Sequence, residues 1–279
     1  MFLFLFLTCA PDVSIMKIPG ADTQEDNIEI DTAWTNTSSL ISGFATIHFR
    51  QIACPACVGE TSEFDITAEL LLHQPTSGDY FENLTNIGSC TTTIYDTHVS
   101  VDPLQASTTA FFNDIQLQPV GAGIWQNNYL YEHQYERNAD YTISSEHGIV
   151  SNAFTSIEGF DSIEPYTLLW IDPSYAFETV ISKTSTTFTW SPVVPNTQFE
   201  ILIAVYSPDG SQFLGALSCM ENDTGHMSVP GSYFQNYQTW SLVAVHLIRH
   251  RTDRVEATDF SGHVQSHMKW EVVGTGHIE

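Results

Sequence analysis

The chain has 279 residues, of which 42% are hydrophobic and 12% aromatic, so it can bury a sizeable core. Its 33 acidic side chains outnumber its 8 lysines and arginines and give a formal net charge of -25 at pH 7. A chain this acidic repels phosphate backbones and anionic membrane surfaces, which argues against nucleic-acid binding. The charge favours solubility, with divalent cation binding as the sharper alternative.

The chain begins with an apolar run, residues 1–7, followed by Thr8 and Cys9. A membrane-spanning helix needs about 20 apolar residues, so this run is too short to cross a bilayer. It resembles the end of the hydrophobic region of a secretory signal peptide, and we therefore predict export. Residues 1–8 are predicted to be this signal-like segment, and residues 9–27 to be a polar tether before the folded part.

The stretch Phe6-Leu7-Thr8-Cys9 resembles a bacterial lipobox, in which the cysteine is lipidated and becomes the mature N-terminus. This resemblance implies that Cys9 carries lipid and anchors the protein to a membrane. An ordinary signal peptide with an incidental cysteine is the alternative. Acidic residues cluster in the tether, but they lack the spacing of a calcium loop, so we interpret them as a solvated linker.

Strand patterns dominate residues 28–162, which we predict to form a first β-sandwich domain. Alternating or β-branched runs bounded by turn residues occur at residues 40–49, 64–72, 91–101, 115–119, 124–131 and 141–144. No long stretch has a helical period. Short strands separated by turns at this frequency are typical of an all-β sandwich or barrel.

The motif Cys54-Pro55-Ala56-Cys57 is the most reactive-looking one in the chain. Its C-x-x-C spacing suits a structural disulfide, a zinc site, a redox pair or two free thiols. No helix pattern follows it, as a thioredoxin-like site requires, and Cys90 and Cys219 lie far away in sequence. Because exported proteins keep disulfides, we predict that Cys54 and Cys57 are oxidised, to each other or to Cys90, and that Cys90 and Cys219 are further disulfide candidates.

Residues 163–279 are predicted to form a second β-sandwich domain, because the strand pattern pauses near residue 160 and then resumes clearly. Phe188 and Trp190 share one strand face, and Trp190 is predicted to be a core anchor. The next run alternates over residues 199–205 and meets a tight turn, residues 207–210, where proline fixes φ and glycine accepts positive φ. Residues 213–217 then return as the partner strand.

A strand with a buried tryptophan followed by proline, leading into a long alternating strand, resembles fibronectin-III and immunoglobulin-like domains. The resemblance covers roughly residues 168–273. Together the two halves resemble bacterial surface lipoproteins with tandem sandwich domains. This resemblance implies two sandwiches in tandem and a location in the cell envelope, at the outer membrane or cell surface, and it implies no particular activity.

Four histidines near the C-terminus form the candidate metal site. Residues 239–251 alternate so that His246 and His250 share one face, and residues 264–273 alternate so that His263 and His267 lie opposite the apolar side chains. If the two segments form an antiparallel hairpin that turns at residues 256–257, His246 faces His267 and His250 faces His263. Each pair is then close enough to share a divalent metal ion, with a further ligand from water or an acid. Because Glu256-Ala257 is a poor two-residue turn, the alternative is a longer irregular loop through Asp253 and Asp259, which breaks this facing.

The sequence contains no established catalytic motif, and its abundant acids make no carboxylate pair stand out. We therefore expect an exported, non-enzymatic surface protein with an adhesive, scaffolding or structural role and an unknown protein or polymer partner. An extracellular polysaccharide-binding module or hydrolase is one alternative, because six tryptophans and 11 tyrosines can form a sugar-stacking platform. A metal-binding or redox module is the other.

Overall fold

The structure is a computed structural model that describes residues 41–52, 64–73, 87–92, 109–121, 123–130, 140–145, 151–155, 164–165, 179–256 and 262–279. These ranges consist of strands and turns with one 3-10 helix, Gly231–Phe234, which confirms the all-β prediction. Within them, no helix is long and apolar enough to cross a membrane.

The strands are numbered in chain order. They are β1 (Ile41–Ile52), β2 (Phe64–His73), β3 (Ser89–Thr91), β4 (Ala110–Phe112), β5 (Ile115–Gln116), β6 (Gln118–Gly121), β7 (Ile124–Leu130), β8 (Asp140–Ser145), β9 (Ser151–Thr155), β10 (Glu164–Pro165), β11 (Thr179–Ile181), β12 (Ser185–Ser191), β13 (Gln198–Tyr206), β14 (Phe213–Asn222), β15 (His226–Pro230), β16 (Leu242–Glu256) and β17 (Gly262–Ile278).

Ten of these strands form one large sheet with the order β3-β14-β13-β16-β17-β1-β2-β7-β6, and β11 also pairs with β17. The central contact is between β1 and β17, which run parallel over twelve residue pairs from Ile41↔Gly262 to Ile52↔Val273. The sheet therefore continues across the boundary predicted near residue 162.

Local pairing follows the predicted pattern in three places. β6 and β7 pair across the turn between the strand runs predicted at residues 115–119 and 124–131, and β13 pairs antiparallel with β14 across the turn at residues 207–210. In that turn Gly210 has φ of 72°, and the Asp209 carboxylate accepts hydrogen bonds from Ser211. β16 and β17 form the predicted antiparallel hairpin.

The core lies on one face of the large sheet, where side chains of two smaller sheets complete one buried apolar cluster. One smaller sheet is β5-β4-β8-β9 and the other is β10-β12-β15. Tyr141 of the first contacts Phe49 with ring centroids 5.2 Å apart, and Trp190 of the second stacks on Phe199 at 3.6 Å. Both contacts belong to one continuous cluster of buried apolar side chains. Trp190 is buried as predicted, and the packing is that of a sheet-on-sheet sandwich.

One charged pair lies within this apolar core. Arg249 and Asp223 are both inaccessible to solvent, and the Arg249 Nε donates to Asp223 Oδ2 at 2.8 Å. The other carboxylate oxygen accepts from Trp190 Nε1 at 2.8 Å, and Arg249 Nη2 also donates to the Pro192 carbonyl. These bonds compensate the two buried charges and connect β12, β16 and the loop after β14.

Candidate functional site

The opposite face of the large sheet carries a row of polar and titratable side chains that are mostly buried. Strand alternation places them there, because their immediate neighbours along each strand point into the core. We call this set the polar row. Its members are Ser218 on β14, Glu200 on β13, His246 and His250 on β16, His267, Lys269 and Glu271 on β17, and His48 on β1.

One half of the polar row is a hydrogen-bonded chain across four strands. The Ser218 hydroxyl donates to Glu200 Oε1 at 2.5 Å, and Glu200 Oε2 lies 3.0 Å from His250 Nε2. The other ring nitrogen of His250, Nδ1, lies 2.9 Å from His267 Nε2. The two imidazole rings are stacked with centroids 5.1 Å apart. A carboxylate can only accept, so these partners assign the Nε2 proton to His250 and make His267 Nε2 the donor to His250 Nδ1.

The other half is centred on Glu271, which faces two imidazoles. His246 Nδ1 hydrogen-bonds with Glu271 Oε1, and His48 Nε2 lies 2.6 Å from Glu271 Oε2. All three side chains are largely excluded from water. The two carboxylate oxygens are therefore each engaged by a nitrogen, in the way that a buried carboxylate requires.

Burial and nearby positive charge disfavour protonation of the two stacked histidines. Burial is the largest cause that lowers the pKa of His267, well below its usual value, and the charges of Lys269, His250 and His48 add to it. Burial also lowers the pKa of His250, although its hydrogen bond with Glu200 opposes that effect. Both imidazoles are therefore neutral at pH 7.

The two carboxylates in the row behave in the opposite way to an isolated buried acid. Burial alone would raise the pKa of Glu271, but the hydrogen bonds and charges of His246 and His48 hold it well below its usual range. The pKa of Glu200 is likewise lowered despite burial, by His250 and Ser218. Glu69, on β2, shows the reverse, because burial raises its pKa against the opposing charge of Lys269.

This geometry restricts the chemistry of the row. The Ser218 hydroxyl donates to a carboxylate and not to an imidazole, so the order of groups differs from that of a Ser-His-Asp arrangement. In the described ranges, no group of three or more His, Cys, Asp or Glu side chains is placed to hold a metal ion. Metal binding by the four predicted histidines stays a prediction. The polar row does contain several buried imidazole and carboxylate groups that can bind protons and that hydrogen-bond to one another.

The predicted facing of the C-terminal histidines is confirmed for His246, His250 and His267, but their predicted pairing is wrong. His246 lies opposite Val273 and not His267, a shift of six residues, and His250 lies opposite Lys269 and not His263. β16 extends to Glu256 and β17 begins at Gly262, so the turn is not at residues 256–257. His250 and His267 meet diagonally instead. The backbone of His263 pairs with Glu256, and its side chain lies outside the described part of the structure.

The cysteine prediction is confirmed in part. Cys90 and Cys219 form a disulfide, because β3 lies beside β14 with these two residues directly opposite each other. The alternative that joined Cys90 to Cys54 or Cys57 is therefore wrong. Cys54, Cys57 and the predicted lipidation site Cys9 lie outside the described residues.

The sequence interpretation did not single out His48, Glu200, Glu271, Asp223 or Arg249. Glu200 and Glu271 had a usable signal, since each lies between two apolar residues of an alternating strand and so must share a face with the histidines. His48 had the same signal within β1, but its neighbour β17 is more than 200 residues away in sequence. Arg249 had no such signal, because a charge within an apolar pattern gives no indication of its partner, and Asp223 lies in a polar stretch, residues 221–225, at the connection between two strands.

No protein-family model matches the chain, and a search of curated proteins finds no similar sequence.

Proposed function

We propose that this chain is an exported, non-enzymatic surface protein of the bacterial envelope, anchored by lipid on Cys9, with an adhesive, scaffolding or structural role. The proposal keeps the resemblance to bacterial lipoproteins with tandem immunoglobulin-like or fibronectin-III domains, but the arrangement of the sheets differs in one respect. Each half packs a small sheet on the large one, and the large sheet is shared by both halves.

The observation that carries the proposal is the Cys90–Cys219 disulfide. It joins residues 129 apart in sequence and connects β3 to β14 at the edge of the large sheet. Structural disulfides persist in oxidising compartments and are rare in reducing ones. A buried core built from long paired strands and stabilised by a covalent link supports a structural role. The net charge of -25 supports solubility at a surface and disfavours nucleic-acid partners.

The proposal is tested with the full chain produced in a bacterial host that exports lipoproteins. We expect fractionation to place the protein in the envelope and mass spectrometry to find a mature N-terminus at a lipid-modified Cys9. Cys9→Ser is the matched control and should release the protein from the membrane fraction. A mature chain that begins upstream of Cys9, or at an unmodified Ala10, contradicts the lipid anchor. Free thiols at Cys90 and Cys219 in the native protein contradict an oxidising location.

A further inference from the structure

The edge of the large sheet beside β14 is only partly occupied. β3 pairs with residues 218–220 of β14. In the part of the chain that the structure describes, no strand pairs with residues 213–217 on the side away from β13. We call residues 213–217 the open edge. The backbone N–H and C=O groups of such an edge that point away from the neighbouring strand can pair with a further strand.

The open edge exposes apolar side chains at the end that lies farther from β3. Phe213 is 50% exposed and Leu214 is 43% exposed. Residues 211–214 are all exposed, so this surface is continuous along the chain. An added strand would cover both parts of such a surface, because the backbone supplies hydrogen bonds and the exposed side chains supply apolar contacts.

The opposite edge of the large sheet carries a protective residue that the open edge lacks. β6 forms that opposite edge and contains Pro119, which has no N–H to offer a further strand. Proteins also protect edge strands with lysine. The sequence has no lysine or arginine in residues 184–248, a stretch that includes all of β14. A register irregularity occurs beside both edges, so the proline and the positive charge are what distinguish them.

Exposed negative charges lie beyond both ends of the open edge. Asp209 is exposed in the turn before β14, and Glu221 is exposed near the end of β14. Hydrogen bonds from Ser207 and Ser211 lower the pKa of Asp209 to about 2, so its carboxylate is charged at neutral pH. A strand that carries positive charge at its ends is therefore attracted to this edge.

The two basic residues that flank residues 184–248 in the sequence have partners of their own. Lys183 Nζ donates to the Tyr237 carbonyl at 2.7 Å. Arg249 is fully buried and paired with Asp223. Neither of them, and no residue between them, places a free cation beside the open edge that would repel a basic strand.

We infer that the open edge binds an extended segment of a basic partner protein by strand addition. The backbone of that segment hydrogen-bonds to the open edge, and its apolar side chains contact Phe213 and Leu214. Its lysine or arginine residues are attracted by Asp209 and Glu221. This inference goes beyond the proposed function, since it names a kind of partner. It does not depend on lipid at Cys9 or on export, so the two proposals fail by different experiments.

The probe is a fluorescein-labelled peptide, Lys-Val-Thr-Val-Thr-Val-Lys, whose central residues match the length of the open edge. We expect its fluorescence anisotropy to rise with the purified full chain, with a dissociation constant below about 1 mM, and hydrogen exchange to slow in residues 213–217. Glutamate in place of both lysines should weaken binding at least about tenfold. Methylation of all central backbone nitrogens of the peptide should abolish binding, because it removes the N–H donors that a strand needs.

Two variants of the chain make the same charge change at the two edges of the large sheet. Leu214→Lys places a lysine on the open edge, where it should weaken peptide binding at least about tenfold. Val120→Lys is the matched control, because Val120 is 52% exposed on β6 at the opposite edge, and it should leave the affinity within about twofold. Both side chains are exposed, so we expect both variants to melt at the wild-type temperature.

Four outcomes overturn the inference. The first is no binding of the peptide to the wild-type chain. The second is equal binding of the methylated peptide, since that result indicates attraction by charge alone; this comparison uses only the wild-type chain and decides even if a variant fails to fold. The third is equal affinity in Leu214→Lys and Val120→Lys. The fourth is a wild-type dimer in sedimentation velocity that Leu214→Lys dissociates, since it assigns the open edge to a second copy of the chain.

Discussion

The buried side chain of Asp223 links several other residues by hydrogen bonds. Its carboxylate accepts from the Trp190 indole, the Val194 N–H and the Arg249 guanidinium, and Arg249 in turn donates to the Pro192 carbonyl. The two charges gain little net stability together, because burying them costs solvation. Removing one of them, however, leaves the other buried without compensation.

We therefore predict that Asp223→Asn, which keeps the shape and removes the charge, lowers the free energy of unfolding by about 3–5 kcal/mol. Urea denaturation monitored by tryptophan fluorescence measures the change. Asp114→Asn is the control, since Asp114 is exposed in the turn between β4 and β5, and it should leave the urea midpoint nearly unchanged. A loss of less than about 1 kcal/mol for Asp223→Asn would show that the arginine finds another partner.

His267 and His250 make stability depend on pH in a defined direction. The pKa of each is lowered in the folded protein, first by burial, so the unfolded chain binds protons more readily. Below the ordinary histidine pKa of about 6.5, protonation therefore favours the unfolded state and stability falls as pH falls. Glu200 and Glu271 add a second loss below about pH 4.3, because their folded pKa values are also lowered.

We predict that the free energy of unfolding decreases from pH 7.5 to pH 5 by up to about 1.4 kcal/mol per pH unit for each histidine. Urea midpoints across this range measure the slope. His267→Gln should reduce the slope between pH 7.5 and 5 and leave the decline below pH 4.3 in place. His226→Gln, at an exposed position on β15, is the control and should keep the wild-type slope. A flat profile in the wild type would contradict the neutral buried pair.

At the scale of strands, alternation in the sequence predicts the sheet face of a side chain, but it does not predict the register and therefore not the residue opposite it on the next strand. The alternation in β16 and β17 correctly placed His246, His250 and His267 together on one face. The register was wrong by six residues because it depends on the turn, and no turn motif marks the connection between Glu256 and Gly262. Because side chains alternate between the two faces with a period of two residues, a shift of six residues changes the partner of each residue but leaves each side chain on the same face.

The Cys90–Cys219 link gives a prediction for the edge of the large sheet. It closes a loop of 129 residues between a three-residue strand and a long one. In the chain-entropy model, opening a loop of this size removes up to about 5 kcal/mol of stability. We expect the double variant Cys90→Ser, Cys219→Ser and the reduced wild type to melt at the same, lower temperature. Calorimetry with and without reductant measures this, and a wild-type melting temperature that reductant leaves unchanged would contradict the link.

At the scale of the complete fold, the sequence predicted the all-β class but did not predict which distant strands pair. Composition and alternation were enough for an all-β chain, because they are local properties. The parallel contact of β1 with β17 joins residues more than 200 positions apart, and no local pattern reports it. The resulting cluster runs from Phe49 through Trp270 to Phe199, so side chains on both sides of the predicted boundary pack in a single core.

That shared core predicts one cooperative unfolding transition for the full chain. Phe49 lies in the predicted first domain and Phe199 in the second, and both are fully buried. Phe49→Ala and Phe199→Ala should each lower the stability by about 3–5 kcal/mol and shift the same transition in differential scanning calorimetry. In tandem, independent sandwiches each variant would shift only its own transition and leave a second one in place. Phe213→Ala, at an exposed position, is the control and should leave the transition where it is in the wild type. Two wild-type transitions, each sensitive to only one of the buried variants, would restore the boundary near residue 162.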